Sequence, residues 1–451
     1  MHEKYLVVGL GITGFSAMEY LSKQAVQITV TDSRVEPPKF AELRAAYPRV
    51  STLLGKISVP ADTTTIILSP GVSIDEPDLQ AAQAKGIPII GDIELFARVV
   101  DKPVIAVTGS NGKSTVTTLL GKMAQACGIK AGIGGNLGIP ALSLLAPNNV
   151  CYILELSSFQ LETLYSLRPL VVTILNITPD HMERYADMLP YQQAKQRIYH
   201  NARYAVFNRA DPLTKPNSTI EENCIVSFGL DQPTVGNYGV VTSGDKRWLA
   251  KGDTLLIAIE ELALLGEHNV ANALAALAMG EIAGFDLDAM LLTLKTFTGL
   301  EHACEKVLRD QDILWVNDSK GTNPAATIAG LQGLSQSING KWIIILGGLS
   351  KNADFAPLLA PVQKYCKAAI LIGSAADELY DLLHASVVCK KAKNLSEVVK
   401  IAKELAAPGD GVLLSPACAS QDMFENYAHR GREFKELVQQ GIGVQHERSA
   451  N

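Results

Sequence analysis

Short runs of β-branched and aliphatic residues alternate along the chain with Ala- and Leu-rich stretches of helical period. The runs are Tyr5–Val8, Gln27–Thr31, Thr65–Leu68, Val104–Thr108, Tyr152–Leu154, Val171–Leu175, Ala205–Phe207, Ile313–Val316, Trp342–Leu346, Ala368–Ile372 and Val412–Leu414. Several are apolar at every position, as strands of a parallel sheet covered on both faces must be. Their alternation with helices predicts an α/β fold. Three blocks follow from the breaks in this pattern: residues 1–92, 93–298 and 299–451. The polar, Gly-rich segment from Gly229 to Asp253 alternates weakly and reads as a β-excursion within the middle block.

Composition narrows the class. A chain of 451 residues, 47% of them hydrophobic, is long enough for two to four domains with proper cores. The net charge of −6 is spread evenly, with no basic tail or stripe, which argues against nucleic acid as a partner. Seven cysteines without a C-x-x-C pair fit reduced thiols and a cytoplasmic location. No apolar run reaches the roughly 18 residues of a membrane span. The stretch after Lys4 reads as a strand and tight turn, and Ala271–Ala283 as a buried helix.

Two glycine loops carry the chemistry. Gly9-Leu10-Gly11-Ile12-Thr13-Gly14 lies between a strand and a helix, with Asp32 closing the next strand; this is the dinucleotide-binding pattern. Asp32 is expected to accept a hydrogen bond from a ribose or base. A tight turn without ligand and an NAD-type dehydrogenase are the competing readings, the latter opposed by the absence of a redox constellation. Ser69-Pro70-Gly71 adds a loop at the same sheet edge.

The second loop, Gly109-Ser110-Asn111-Gly112-Lys113-Ser114-Thr115, follows the buried strand Val104–Thr108 and opens a helix. Its backbone N–H groups can cradle phosphates, Lys113 supplies a point charge, and Ser114 or Thr115 a hydroxyl for Mg²⁺. The usual first glycine of such loops would fall at Val107. Glu155, at the end of a strand, suits Mg²⁺. His181 lies in a loop after the next strand. Lys195 sits in a helical stretch and, taken alone, reads as a surface lysine.

Taken together, these residues resemble the Mur ligases, which build the peptide of bacterial cell-wall precursors. Gly109–Thr115, Gly134–Gly138, Glu155–Gln160, His181 with Lys195, Asp318–Asn323 and Ser415–Ser420 occur in the family's order across almost the whole chain. The resemblance implies three domains: an N-terminal Rossmann-like domain, a central P-loop ATPase domain with a mostly parallel sheet, and a C-terminal Rossmann-like domain. It assigns the UDP part of the substrate to Gly11, Thr13, Asp32, Ser33, Arg34 and Gly71, with Asn136 also on the substrate. ATP falls to the phosphate loop and Asn269. Thr115 and Glu155 would hold one Mg²⁺, and His181 with Lys195, converted by CO₂ to a carbamate, a second. Lys320, Thr322, Lys351, Ser420 and Tyr427 would form the amino-acid pocket.

The reaction implied is ligation of D-glutamate to UDP-N-acetylmuramoyl-L-alanine. The carboxylate attacks the γ-phosphorus of ATP, with Lys113 countering charge, and the amine displaces phosphate from the acyl phosphate. A monomer is implied. One departure stands out: after Gly299-Leu300-Glu301-His302, relatives carry an arginine that binds nucleotide phosphate, whereas this chain has Ala303. Arg309 is a candidate substitute. The alternatives are another ligase of the same group, such as a folylpolyglutamate synthase or the ligase adding the third peptide residue, or a nucleotide-dependent switch.

Overall fold

Every strand expected from the sequence is present, with ends shifted by two residues at most, in the computed structural model, which describes residues 3–136, 138–182, 184–217, 220–335, 337–350 and 353–448. Strands β1 (Lys4–Val8), β2 (Gln27–Asp32), β3 (Ser51–Leu54), β4 (Thr65–Leu68) and β5 (Ile89–Gly91) form a parallel sheet in the order β3-β2-β1-β4-β5. The order reverses direction at β1, so the loops after β1 and β4 open the crevice where such sheets bind ligands.

A nine-stranded sheet follows, with β6 (Val104–Thr108), β7 (Ala131–Gly135), β8 (Cys151–Glu155), β9 (Val171–Ile174), β10 (Tyr204–Asn208), β11 (Ile225–Phe228), β12 (Tyr238–Ser243), β13 (Lys246–Lys251) and β14 (Thr254–Ala258). Its order is β14-β13-β12-β11-β10-β9-β6-β8-β7. β12, β13 and β14 pair antiparallel, with β12 and β13 inside the expected excursion and β14 just after it, while β6–β11 are parallel. β6 lies between β8 and β9, so its phosphate loop emerges between Glu155 and the segment after β9. All five β6 residues and all five β8 residues are buried.

The third sheet contains β15 (Glu305–Asp310), β16 (Ile313–Asn317), β17 (Trp342–Gly347), β18 (Cys366–Ile372), β19 (Val388–Lys391) and β20 (Gly411–Leu414), ordered β15-β16-β20-β17-β18-β19. Only the edge strand β15 is antiparallel. Apolar clusters on both faces cover the centre, which is why β17 and β20 carry no charged side chain.

Packing groups Met1–Glu260 with Ala271–Thr293, and Glu261–Val270 with Leu294–Asn451. The first sequence block and most of the second therefore pack as one unit. Polar contacts tie them: Glu94 accepts from the backbone N–H of Tyr165 and Ser166 at 2.9 Å each, and Ser16 and Ser143 share a hydrogen bond of 2.8 Å. The first turn of helix Glu267–Ile282, with Asn269, packs in the second unit. No described helix is long and apolar enough to cross a membrane.

Candidate active site

The phosphate loop is fixed by its neighbours before any ligand is considered. Ser110 N donates to Asn176 O at 2.9 Å and Asn111 N to Asn176 Oδ1 at 2.8 Å. Asn176 Nδ2 returns a hydrogen bond to Asn111 O at 3.1 Å. Ser110 Oγ is linked to Thr178 O and to the Tyr191 hydroxyl, both at 2.9 Å. Gly112, at φ +83°, turns the chain into helix Lys113–Ala126, and a Cβ there would stand 2.6 Å from Asn272 Oδ1. Only glycine fits both that backbone conformation and that space. Ser114 and Thr115 fall in the first helical turn, half-buried.

Two lysines converge on this loop. Lys113 Nζ donates to the carbonyls of Gly109 and Ser110, each at 2.9 Å. Lys195 Nζ donates to the same Gly109 carbonyl at 2.8 Å. Lys195 comes from helix Met188–Gln196 and is 1% exposed, which corrects its reading as a surface lysine. A helix of mixed polarity conceals this, because the burying partner is 86 residues away. Burial, and next the Lys113 ammonium, push the Lys195 pKa down to about 7, against the opposing pull of Asp180.

Glu155 ends β8 beside the loop, paired in register with Val107, and is 2% exposed. Its Oε1 accepts from Asn136 Nδ2 at 2.6 Å, while Oε2 is buried without a hydrogen-bond partner among the described residues. A buried carboxylate oxygen left open suits a cation. No three His, Cys, Asp or Glu side chains among the described residues are grouped to hold a metal by themselves. Mg²⁺, which keeps waters and binds phosphate oxygens, does not require such a group. His181 takes a left-handed backbone (φ +57°), its imidazole lies 4.8 Å from the Phe159 ring, and its side chain is 41% exposed.

In the first sheet, Asp32 is 2% exposed rather than presented to a ligand. Its Oδ2 accepts from Leu10 N at 2.7 Å and Arg34 Nη2 at 2.8 Å, and its Oδ1 from Arg34 N and Nε at 2.9 Å each. These hydrogen bonds hold the carboxyl below its usual range against the cost of burial. The expected ribose acceptor thus organises the glycine loop and the exposed Arg34. Around Gly11 and Gly71 the positions a Cβ would take are open, and Thr13 and Ser33 lie at the same edge.

In the second unit, the loops after β16, β17 and β20 share one end of the sheet. Arg430, on helix Tyr427–Arg448, lies beneath them, 1% exposed. It donates from Nε to Ser319 Oγ and from Nη2 to Ser319 O, both at 2.9 Å, and from both Nη atoms to Cys418 O at 3.3 Å. It forms no ion pair with a carboxylate among the described residues, and burial pushes its pKa down to about 10. Sequence reading missed Arg430, and its polar helix offers no signal. Ser420 Oγ is buried without a partner among the described residues, Lys320 is exposed, Thr322 half-buried and Tyr427 39% exposed. Lys351 lies outside the described residues. Asn269 Nδ2 donates to Leu265 O at 2.8 Å. Arg309, the candidate substitute for an arginine at 303, donates to Asp312 Oδ1 at 2.9 Å and to Ser337 O at 3.0 Å.

Comparisons with known proteins place the chain in a family. The Mur ligase MurD-like N-terminal domain matches residues 3–91, the Mur ligase middle domain 107–280, and the Mur ligase glutamate ligase domain 304–418. A UDP-N-acetylmuramoylalanine–D-glutamate ligase of Legionella pneumophila (strain Paris) is 45% identical over 97% of this chain and 99% of its own length. The enzyme of that name from Pseudomonas aeruginosa is 45% identical over 96% and 97%. Among solved structures, a UDP-N-acetylmuramate-alanine ligase of Thermotoga maritima shares the fold at TM-score 0.56 and 21% identity, covering 98% of this chain and all of that one. A UDP-N-acetylmuramoyl-L-alanyl-D-glutamate–2,6-diaminopimelate ligase does so at TM-score 0.59 and 20% identity, covering 93% of each. With relatives this similar over nearly its whole length, the chain belongs to the Mur ligase family.

Proposed function

We propose that this chain is an ATP-dependent ligase that joins D-glutamate to UDP-N-acetylmuramoyl-L-alanine. The reading is supported most by the convergence of Lys113 and Lys195 on the Gly109 carbonyl beside the open oxygen of Glu155. A generic nucleotide switch has no use for a second, buried lysine there. Residues 1–92 serve the UDP substrate, 93–298 ATP and Mg²⁺, and 299–451 the amino acid. We place the protein in the cytoplasm as a monomer without nucleic-acid partners; its seven cysteines are all free thiols.

A carboxylate is a poor acceptor for an amine at neutral pH, and phosphorylation removes that obstacle. The terminal carboxylate oxygen attacks the γ-phosphorus and ADP leaves. The D-glutamate nitrogen then attacks the acyl carbon, phosphate leaves, and a proton is released. Gly109 to Thr115 cradle the phosphates, and Lys113 balances the charge that develops. Asn269 contacts the adenine. Gly11, Thr13, Ser33, Arg34 and Gly71 line the UDP subsite, with Asp32 as their positioning residue, and Asn136 stands between substrate and Glu155.

Thr115 and Glu155 would hold one Mg²⁺, and His181 with a carbamylated Lys195 a second; the ions would supply charge neutralisation at the phosphates. An ammonium cannot bind a cation, and carbamate formation needs the neutral amine that the Lys195 environment favours. A density map with metal and bicarbonate present shows the carbamate if this is right and a bare amine if it is wrong. Lys320, Thr322, Lys351, Ser420 and Tyr427 receive D-glutamate, with the lysines facing its two carboxylates.

Phosphate release with UDP-N-acetylmuramoyl-L-alanine, with and without D-glutamate, tests the function. Sustained release is expected only when both are present. Release indifferent to D-glutamate contradicts the reading.

A further inference from the structure

The turn that carries His181 is tied to the loop after β4 by one side chain. Arg184 Nη1 donates to Pro70 O at 3.0 Å, and Nη2 to Glu162 Oε2 at 2.7 Å. The guanidinium carbon lies 4.1 Å from the Phe159 ring centroid. The same Phe159 ring meets the His181 imidazole at 4.8 Å. Glu162 Oε1 accepts from the Tyr185 hydroxyl, and the His181 carbonyl accepts from the N–H groups of Arg184 and Tyr185 at 2.9 and 3.1 Å. His181 pays the steric cost of a left-handed backbone in this turn. Phe159 and Glu162 lie on the short helix Ser158–Glu162, which begins three residues after Glu155.

We propose that Arg184 is a positioning residue coupling the Ser69-Pro70-Gly71 loop to the setting of His181, so that seating the nucleotide-sugar substrate also places the imidazole. The proposal rests on the functional reading above, in which that loop borders the UDP subsite. A mere strut needs the hydrogen bond to Pro70 alone. Here one planar group holds the Pro70 carbonyl, the Glu162 carboxylate and the face of the ring against His181. That combination is within reach of a guanidinium and beyond an ammonium, which lacks the fork and the flat face.

The test uses the full chain and two measurements: calorimetric Kd for UDP-N-acetylmuramoyl-L-alanine without ATP, and steady-state constants for all three substrates. Arg184→Met is expected to weaken nucleotide-sugar binding about tenfold and lower kcat by about 10²-fold, the scale of a small misplacement of a reacting group. KM for ATP and D-glutamate should stay within twofold. Phe159→Leu should lower kcat while leaving that Kd near wild type, since the Pro70 contact survives. The double variant should lose little more kcat than Arg184→Met, because the two act in one chain of contacts. Arg184→Lys should recover part of the binding and little of kcat, and carries the test if Arg184→Met does not fold. Unchanged Kd and kcat, or equal loss for all three substrates with a lowered Tm, would overturn the proposal. A wild-type protein that binds no UDP-N-acetylmuramoyl-L-alanine instead contradicts the functional reading, and this is measured first.

Discussion

Lys113 and Lys195 donate to one acceptor, the Gly109 carbonyl oxygen, from 2.9 and 2.8 Å. Burial, and next the neighbouring Lys113 ammonium, make Lys195 yield its proton readily. With a pKa of about 7, Lys195 is half neutral at pH 7; an unperturbed lysine would be neutral in roughly one molecule in three thousand.

That shift has a stability consequence. The folded pKa lies below the unfolded one, so between pH 7 and 10.5 the unfolded chain binds more protons at this position and stability rises with pH. The destabilisation by Lys195 is fully present below pH 7 and fades as pH climbs toward 10.5. In bicarbonate-free buffer, Lys195→Met is therefore expected to raise Tm by several degrees at pH 6.5 and by less at pH 9, while turnover is lost. A Tm difference independent of pH would show that the amine is not strained in the fold.

Glu155→Gln keeps the shape and the acceptor for Asn136 but removes the charge at the open oxygen. We expect the Mg²⁺ concentration for half-maximal rate to rise at least tenfold and kcat to fall by about 10²-fold. Tm should change little, since no ion pair is broken. A Mg²⁺ titration of the variant checks this; an unaltered midpoint would remove Glu155 from the metal site.

Arg430→Met takes a buried cation from beneath the amino-acid loops, where no described carboxylate pairs with it. A buried charge costs stability, so its loss is offset against the Ser319 and Cys418 carbonyls left without donors. The expected signature is kinetic: KM for D-glutamate at least tenfold higher, with KM for ATP within twofold. Equal changes in both would make Arg430 a scaffold residue only.

Ala303→Arg restores the guanidinium that the family resemblance places there; Arg309, the other candidate, donates to Asp312 and Ser337 instead. KM for ATP is expected to fall severalfold in this variant. An unchanged KM would mean that this chain holds its nucleotide without help from that position.

Most of the fold was legible because buried parallel strands must be apolar throughout, as Val104–Thr108 and Trp342–Gly347 are. Strands escaped where that rule lapses, or, as at β5 (Ile89–Gly91), where a buried apolar run is only three residues long. β7 reads Ala-Gly-Ile-Gly-Gly, without β-branched bulk beyond Ile133, and β15 and β19 are partly exposed edges carrying charges. The phosphate loop was legible because its glycines and lysine are contiguous. Lys195 and Arg430 depend on partners far away in the chain, so neither their burial nor their partners could be read from local pattern; Asp32 is held by Arg34 two residues on and by Leu10 across the sheet edge.

The central claim is that ATP activates the substrate carboxylate. Turnover with UDP-N-acetylmuramoyl-L-alanine labelled with ¹⁸O in both oxygens of its terminal carboxylate tests it directly, by mass spectrometry of the released phosphate. The account predicts one ¹⁸O atom in phosphate for each amide formed with D-glutamate. Unlabelled phosphate alongside normal amide formation would contradict it.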